Sequence, residues 1–175
     1  MNQLQLKTKL EIVTNVAVLL AASVILGNFA WTHFAKKTEP HLARGLRRGD
    51  VFPMPSGIRR YSGTQTLLLA LSSSCEHCNE SIPFFKQLLQ INAAHGEGTQ
   101  IVAVFPEAAE EVQQYVSAQQ FQVQTIPGIN LQTLRLAGTP SAVLLSGEGK
   151  IINFWVGTPS KEAEKEIIES ITHRT

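Results

Sequence analysis

The chain has 175 residues, a formal net charge of +1 and a hydrophobic fraction of 43%. This is enough for one ordinary domain with a real core and an appendage. Seven of the fifteen Lys and Arg residues fall between Lys36 and Arg60, a linker property that does not indicate a nucleic-acid partner. The 2 cysteines share one CxxC motif, which excludes the disulfide framework of small secreted domains.

The first predicted element is a membrane-spanning helix over residues 12–35, after a polar tail at 1–11. It contains no Asp, Glu, Lys or Arg, and fifteen of the twenty residues from Ile12 to Trp31 are apolar. Twenty helical residues span about 30 Å, the thickness of a bilayer's hydrocarbon core. A cleaved signal peptide is the alternative, although its apolar region is usually only about 7–15 residues long. A buried soluble helix is disfavoured by the same length.

Residues 36–56 are predicted to form a linker, and 57–175 the folded domain. The linker is rich in Arg, Gly and Pro, which favours extended backbone and suits a spacer between a bilayer and a domain. Lys and Arg are more numerous after the anchor than before it, which by the positive-inside tendency favours a cytoplasmic domain. Large domains, however, can cross a membrane despite flanking charge.

Strands and helices alternate beyond the linker, which predicts an α/β sheet covered on both faces. Strands are predicted at residues 65–71, 100–105, 142–145 and 151–156, with a further short one at 121–126. Helices are predicted at 76–94, from Pro106 and from Thr158, whereas 131–136 is ambiguous. Glu107 is expected in the first turn of the second helix, where a carboxylate complements the helix dipole.

The motif Cys75-Glu76-His77-Cys78 lies between a predicted buried strand and a predicted helix. Two thiols at this spacing can share a reversible disulfide. The helix dipole and free N–H groups stabilise a thiolate, so Cys75 is predicted to be the attacking sulfur and Cys78 the resolving one. Glu76 and His77 are predicted to tune the pair, because protonated His77 favours the thiolate and Glu76 opposes it.

A metal site is the main alternative for a CxxC motif, for example in a membrane-tethered module that handles copper. A closed zinc site needs four ligands, and the sequence has no second cysteine pair. The histidines outside the motif are His33, His41, His95 and His173, and they show no ligand spacing. We therefore expect no metal ligands and no cofactor.

Together, these features resemble the thioredoxin fold, and more closely the membrane-anchored thiol-disulfide oxidoreductases of the TlpA type. The resemblance covers roughly residues 49–172 and rests on the CxxC motif, Pro83 in the following helix, Gly138-Thr139-Pro140 before a strand, and the turn at 146–149. It implies a thioredoxin-like sheet flanked by helices, preceded by one transmembrane helix. It also implies an extra helix and strand between the second strand and Gly138.

The resemblance further implies that Pro140 is cis and packs against the disulfide. The Thr139 backbone would pair with an incoming substrate chain, so both residues are expected to bind substrate. The implied activity is disulfide exchange with protein thiols or disulfides, outside the cytoplasmic membrane and coupled to a redox donor or acceptor.

Several positions depart from the family pattern. Leu69 stands where cytosolic thioredoxins carry a buried Asp, and Ser81 where many TlpA-type proteins have a Glu. Proton transfer from Cys78 then falls to water, His77, Glu76 or Glu80. A peroxiredoxin-like peroxidase is a further alternative, since Ser72 fits its pattern, but Leu68 stands where that family has a proline.

Overall fold

The computed structural model describes residues 45–55, 58, 64–96, 98–136 and 138–172, together with Leu20 and Ser23. The chain divides into two compact units, Met1–His41 and Leu42–Thr175. Within the described residues, no helix has the length and apolar character that a membrane crossing requires. The predicted tail and anchor, 1–11 and 12–35, lie outside the described residues apart from Leu20 and Ser23.

The described part of the second unit is a mixed sheet with helices. The strands are β1 (Gln65–Ala70), β2 (Thr99–Val104), β3 (Gln124–Ile126), β4 (Ser141–Leu145) and β5 (Ile151–Val156). The helices are α1 (Glu76–Ala94), α2 (Ala109–Ala118) and α3 (Lys161–Thr172). The strand order is β3-β2-β1-β4-β5; β1, β2 and β3 are mutually parallel, and β4 is antiparallel to β1 and β5. The predicted α/β sheet flanked by helices is confirmed.

One face of this sheet, called here the helical face, packs against α1, α2 and α3. Alternate residues of each strand point to it, as the two-residue period of a strand requires. The sheet contributes Leu67, Leu69, Ala103, Phe105, Ala142 and Leu144, and the helices contribute Ile82, Phe85, Leu88, Val112, Val116, Ile167 and Ile171. The helical residues recur at three- and four-residue spacing, which is the apolar stripe of an amphipathic helix.

The opposite face, called here the coil face, is covered by segments without regular structure. Its strand residues include Leu68, Ala70, Val104, Val143 and Leu145, and they pack against Leu46, Phe52, Leu134 and Leu136. The last two side chains come from the ambiguous stretch 131–136, which forms turns. The coverage of both faces was predicted, but this face is covered by coil.

The segment 45–55, within the predicted linker, packs against the sheet. Leu46 and Phe52 are only 6% and 2% exposed, since both are part of the core. The Gly49 N–H donates to the Ile151 carbonyl at 2.8 Å, and the Phe52 N–H donates to the Gly149 carbonyl at 2.9 Å. These residues belong to the folded domain because burying two large apolar side chains outweighs the extended preference of the nearby prolines.

The connection from β2 to β4 contains α2 and β3, the extra helix and strand implied by the resemblance. Helix α2 begins at Ala109 and not at Pro106, with Ala108 as its N-cap residue. Glu107 therefore lies before the helix, in the loop that follows β2.

Candidate active site

Cys75 occupies the N-cap position of α1. Its backbone is extended, with φ −92° and ψ 113°, and its Sγ accepts a hydrogen bond from the Cys78 N–H at 3.2 Å. The first N–H groups of a helix have no partner within the helix, so a side-chain acceptor at the N-cap satisfies one of them. The sulfur thus takes the place that a serine or aspartate oxygen usually holds, at the positive end of the helix dipole.

The two thiols are free and differ in exposure and in acidity. Cys75 is partly exposed, whereas Cys78 is 0% exposed. Burial raises the pKa of Cys75, but hydrogen bonds from the Cys78 and Thr139 side chains and from the Cys78 and His77 N–H groups outweigh it, so the pKa is lowered. At neutral pH the exposed sulfur therefore carries a larger thiolate fraction than an ordinary cysteine.

The second thiol is strongly biased toward its protonated form. Burial is the main cause that raises the pKa of Cys78 to about 12, and the hydrogen bond to Cys75 and the negative charge of Cys75 add to it. Hydrogen bonds from the Ser72 backbone and the Thr139 side chain act in the opposite direction. The Cys78 thiol thus stays protonated under conditions in which the Cys75 thiol ionises more readily.

Thr139 and Pro140 lie beside this pair, and the peptide bond between them is cis, as the resemblance implied. The Cys75 Sγ is 3.4 Å from the Thr139 carbonyl oxygen. The Thr139 side chain acts to lower the pKa of both thiols, and Pro140 is buried immediately before β4. The structure brings four of the six predicted site residues, Cys75, Cys78, Thr139 and Pro140, to one place.

The side chains of Glu76 and His77 are exposed to solvent. They are therefore better screened from the sulfurs than the sequence suggested. The His77 Nδ1 lies 3.0 Å from the Glu80 Oε2, with the two side chains 70% and 54% exposed. The hydrogen bond to Glu80 and its charge raise the pKa of His77. His77 acts on Cys75 through its backbone N–H. A tuning role for either side chain stays a prediction.

Glu107 and Tyr115 also belong to this site, and the sequence prediction missed both. The Glu107 Oε1 accepts hydrogen bonds from the Ser72 Oγ at 2.5 Å and the Ser73 N–H at 3.0 Å. Burial and the negative charges of Cys78, Cys75 and Glu107 raise the pKa of Tyr115 to about 12. One signal was available: Glu107 follows β2 as Ser72 follows β1, and neighbouring parallel strands end at the same edge of a sheet.

Metal ligation was the main alternative for these thiols. Across the described ranges between 45 and 172, no three His, Cys, Asp or Glu side chains are grouped so that they could hold a metal ion.

Comparisons with known proteins find similarity in structure. No protein-family model and no curated protein matches the sequence. The thioredoxin domain of a thiol-disulfide oxidoreductase from Bacteroides vulgatus is 19% identical with a TM-score of 0.59, and the match covers 73% of this chain and 99% of that one. A putative thiol:disulfide interchange protein DsbE from Chlorobium tepidum is 20% identical with a TM-score of 0.60, covering 73% and 99%.

A third match is StoA from Bacillus subtilis, 18% identical with a TM-score of 0.53, covering 70% of this chain and 97% of that one. At such identities the likeness concerns the fold alone. The domain of this chain has a thioredoxin-like fold, with its CxxC motif at the N-terminus of α1 and its cis proline beside it.

Proposed function

We propose that this protein is a thiol-disulfide oxidoreductase that exchanges disulfides with protein thiols through Cys75 and Cys78. The observation that carries the proposal is the difference between the two sulfurs. Cys75 is accessible with a lowered pKa, whereas Cys78 is buried with a pKa of about 12. Such a pair supplies one nucleophile for an incoming disulfide and a second sulfur that resolves the mixed disulfide afterwards.

The first step is attack by the Cys75 thiolate on one sulfur of a partner's disulfide. A Cys75–partner bond forms, the partner's S–S bond breaks, and the partner's other sulfur leaves as a thiolate. The N-cap position favours this step because it stabilises the thiolate and leaves the sulfur at the protein surface.

The second step is attack by Cys78 on the Cys75 sulfur, which releases the partner's remaining thiolate and leaves a Cys75–Cys78 disulfide. Two of the causes that raise the pKa of Cys78, its hydrogen bond to Cys75 and the charge of Cys75, disappear once Cys75 is in the mixed disulfide. The Cys78 proton is then released more easily, to water or to a departing thiolate. The reverse sequence oxidises a partner dithiol.

A substrate polypeptide would lie along Thr139 and the groove next to it. This groove has a volume of about 480 Å³ and is lined by residues that include Pro106, Ile129, Leu131, Leu136 and Gly138. Gly138 directly precedes Thr139, whose carbonyl oxygen is 3.4 Å from the Cys75 sulfur. Asn130 and Gln132 also line it, so the groove suits a hydrophobic side chain with polar backbone or side-chain groups beside it.

We also propose that residues 12–35 anchor the chain in the cytoplasmic membrane and that the domain works outside it. The uncharged apolar run at 12–35 supports this arrangement. Labelling Cys75 in intact cells with a membrane-impermeant thiol reagent, before and after reduction, tests it. A domain labelled only after cell lysis would contradict it.

Trapping with a disulfide-containing protein such as insulin tests the assignment of the two sulfurs. The Cys78→Ala variant should accumulate mixed disulfides that a reductant releases, because no second sulfur resolves them. The matched Cys75→Ala variant should accumulate none and should lose insulin reduction. The proposal fails if Cys78→Ala traps nothing while Cys75→Ala retains activity.

A further inference from the structure

The carboxylate of Glu107 hydrogen-bonds the turn that precedes Cys75. Its Oε1 accepts from the Ser72 Oγ and the Ser73 N–H, whereas its Oε2 is buried without a hydrogen-bond partner in the described part of the chain. A carboxylate with one satisfied and one desolvated oxygen keeps its electrostatic influence on nearby groups, because water screens it poorly.

Ser72 links this carboxylate to both cysteines. Its carbonyl accepts a hydrogen bond from the Cys75 N–H at 3.3 Å, and its backbone acts to lower the pKa of Cys78. Its side chain donates to Glu107 at 2.5 Å. Glu107 therefore hydrogen-bonds the residue whose backbone holds Cys75 and influences Cys78.

Tyr115 lies in the same region as Glu107 and the two cysteines. Its ring packs edge-on against Phe105 with a centroid separation of 5.9 Å, and its hydroxyl donates to the Asn79 Oδ1 at 2.9 Å. This one phenol is close enough to feel the charges of Cys75, Cys78 and Glu107. The three groups thus share one electrostatic environment at the end of β1 and β2.

The other positions near the pair hold no comparable carboxylate. Leu69 of β1 is fully buried and apolar, and the Ser81 hydroxyl donates to the His77 carbonyl at 2.7 Å. The remaining charged or titratable side chains around the motif, from α1 and α2, are Glu76, His77, Glu80, Glu110 and Glu111, and all of them are exposed. Solvent screens their charges more strongly than that of Glu107.

We propose that Glu107 is a positioning residue of the CxxC pair: it holds the turn at 72–74, and its negative charge disfavours the Cys75 thiolate. The inference rests on the proposed function. The dithiol form carries the thiolate and the disulfide form does not, so a nearby negative charge destabilises the dithiol relative to the disulfide. Glu107 therefore makes the pair a stronger reductant than its helix position alone would set.

The test is the equilibrium of the full chain with glutathione, in which the dithiol and oxidised glutathione yield the disulfide and two reduced glutathiones. Glu107→Gln keeps the acceptor oxygen for Ser72 and Ser73 and removes the charge. Its equilibrium constant should shift about threefold toward the dithiol at pH 9, which is about 14 mV for a two-electron couple. At pH 6 the shift should be smaller, because a larger fraction of Cys75 is then protonated in both proteins.

Glu111→Gln is the matched control. The Glu111 Oε1 accepts from the Ser73 Oγ at 2.5 Å, in the same hydrogen-bond cluster, but the residue is exposed. Its equilibrium should stay close to wild type at both pH values. The equilibrium constant of Glu107→Asp, which keeps the charge, should lie much closer to wild type than that of Glu107→Gln.

Three results would overturn the inference. The first is equal behaviour of Glu107→Gln and Glu111→Gln at pH 9. The second is a Glu107→Gln shift of the same size at pH 6 and pH 9, which would mean that only the shape of the turn changed. The third is a wild-type pair that never equilibrates with glutathione, and that result alone also removes the proposed function.

Discussion

The helical face and the coil face of the sheet are both buried, but their coverings differ in kind. Three amphipathic helices cover the first, and irregular segments around 45–55 and 131–136 cover the second. Both coverings place buried Leu and Phe side chains against the same strands. The coil face is therefore as much a part of the core as the helical face, although it has no regular backbone of its own.

The site also combines a regular helix with an irregular loop. The helical face supplies Cys75 and Cys78 through the first turn of α1, where the helix fixes the spacing of the two sulfurs. The loop at 138–140 reaches the same sulfurs from a different part of the chain. In the proposed function, a rigid helix holds the nucleophiles and a loop forms the surface that meets a partner, which is a common division of roles.

The largest expected effect is on the coil face. Phe52→Ala should lower the free energy of unfolding by about 3–5 kcal/mol, because it removes a buried aromatic side chain and leaves a cavity. Urea denaturation of the chain would measure this. Val51→Ala is the control, since Val51 is 66% exposed and should change stability little. Equal stability of the two variants would mean that 45–55 is only a linker.

Leu134→Ala should lower the free energy of unfolding by about 2–5 kcal/mol. Leu134 is 2% exposed although it lies in a stretch of turns. The exposed neighbour Gln132 provides the control, as Gln132→Ala removes no buried side chain. A loss below 1 kcal/mol for Leu134→Ala would show that this segment opens locally without destabilising the core.

The helical face could be predicted from the sequence because its residues repeat. The stripe in α1, the stripe in α3 and the two-residue alternation of the strands are all visible as periods. The coil face was not predictable in the same way. Leu46, Phe52 and Leu134 are single apolar residues within polar or proline-containing stretches, and only the tertiary structure shows that they meet the sheet.

The site residues also differ in how far the sequence predicts them. Cys75 and Cys78 were predicted because they form a local motif, and Thr139 and Pro140 because the order of the elements resembles a known fold. Glu107 was assigned to a helix dipole, since its contact with Ser72 joins residues 35 positions apart. The absence of a carboxylate at Leu69 and Ser81, taken with the parallel pairing of β1 and β2, was the clue that could have found it.

A smaller effect is expected at the loop that meets the sulfurs. Thr139→Val removes a hydrogen-bond donor that lowers the pKa of Cys75, so that pKa should rise and the thiolate fraction at pH 7 should fall. Alkylation of Cys75 by iodoacetamide should slow about three- to tenfold at pH 7.

The pH profile separates this cause from a change of access to Cys75. The rates of wild type and Thr139→Val should converge above pH 10, where the Cys75 thiol is largely ionised in both. Thr158→Val, which alters an exposed threonine, should match wild type throughout. A Thr139→Val rate that stays low at every pH would point to blocked access.

The smallest effect is expected at His77, although its place inside the motif suggested a tuning role. Its imidazole is 70% exposed and pairs with Glu80, so its charge is partly neutralised and well screened by solvent. His77→Ala keeps the backbone N–H that bonds Cys75, and alkylation of Cys75 at pH 6 should slow by no more than about twofold. Glu80→Ala is the companion variant, because it frees the imidazole and should return the pKa of His77 toward its ordinary value. A tenfold loss in His77→Ala would mean that the imidazole itself reaches the sulfur, and the exposed first turn of α1 would then contribute to the site as strongly as the buried loop at Thr139.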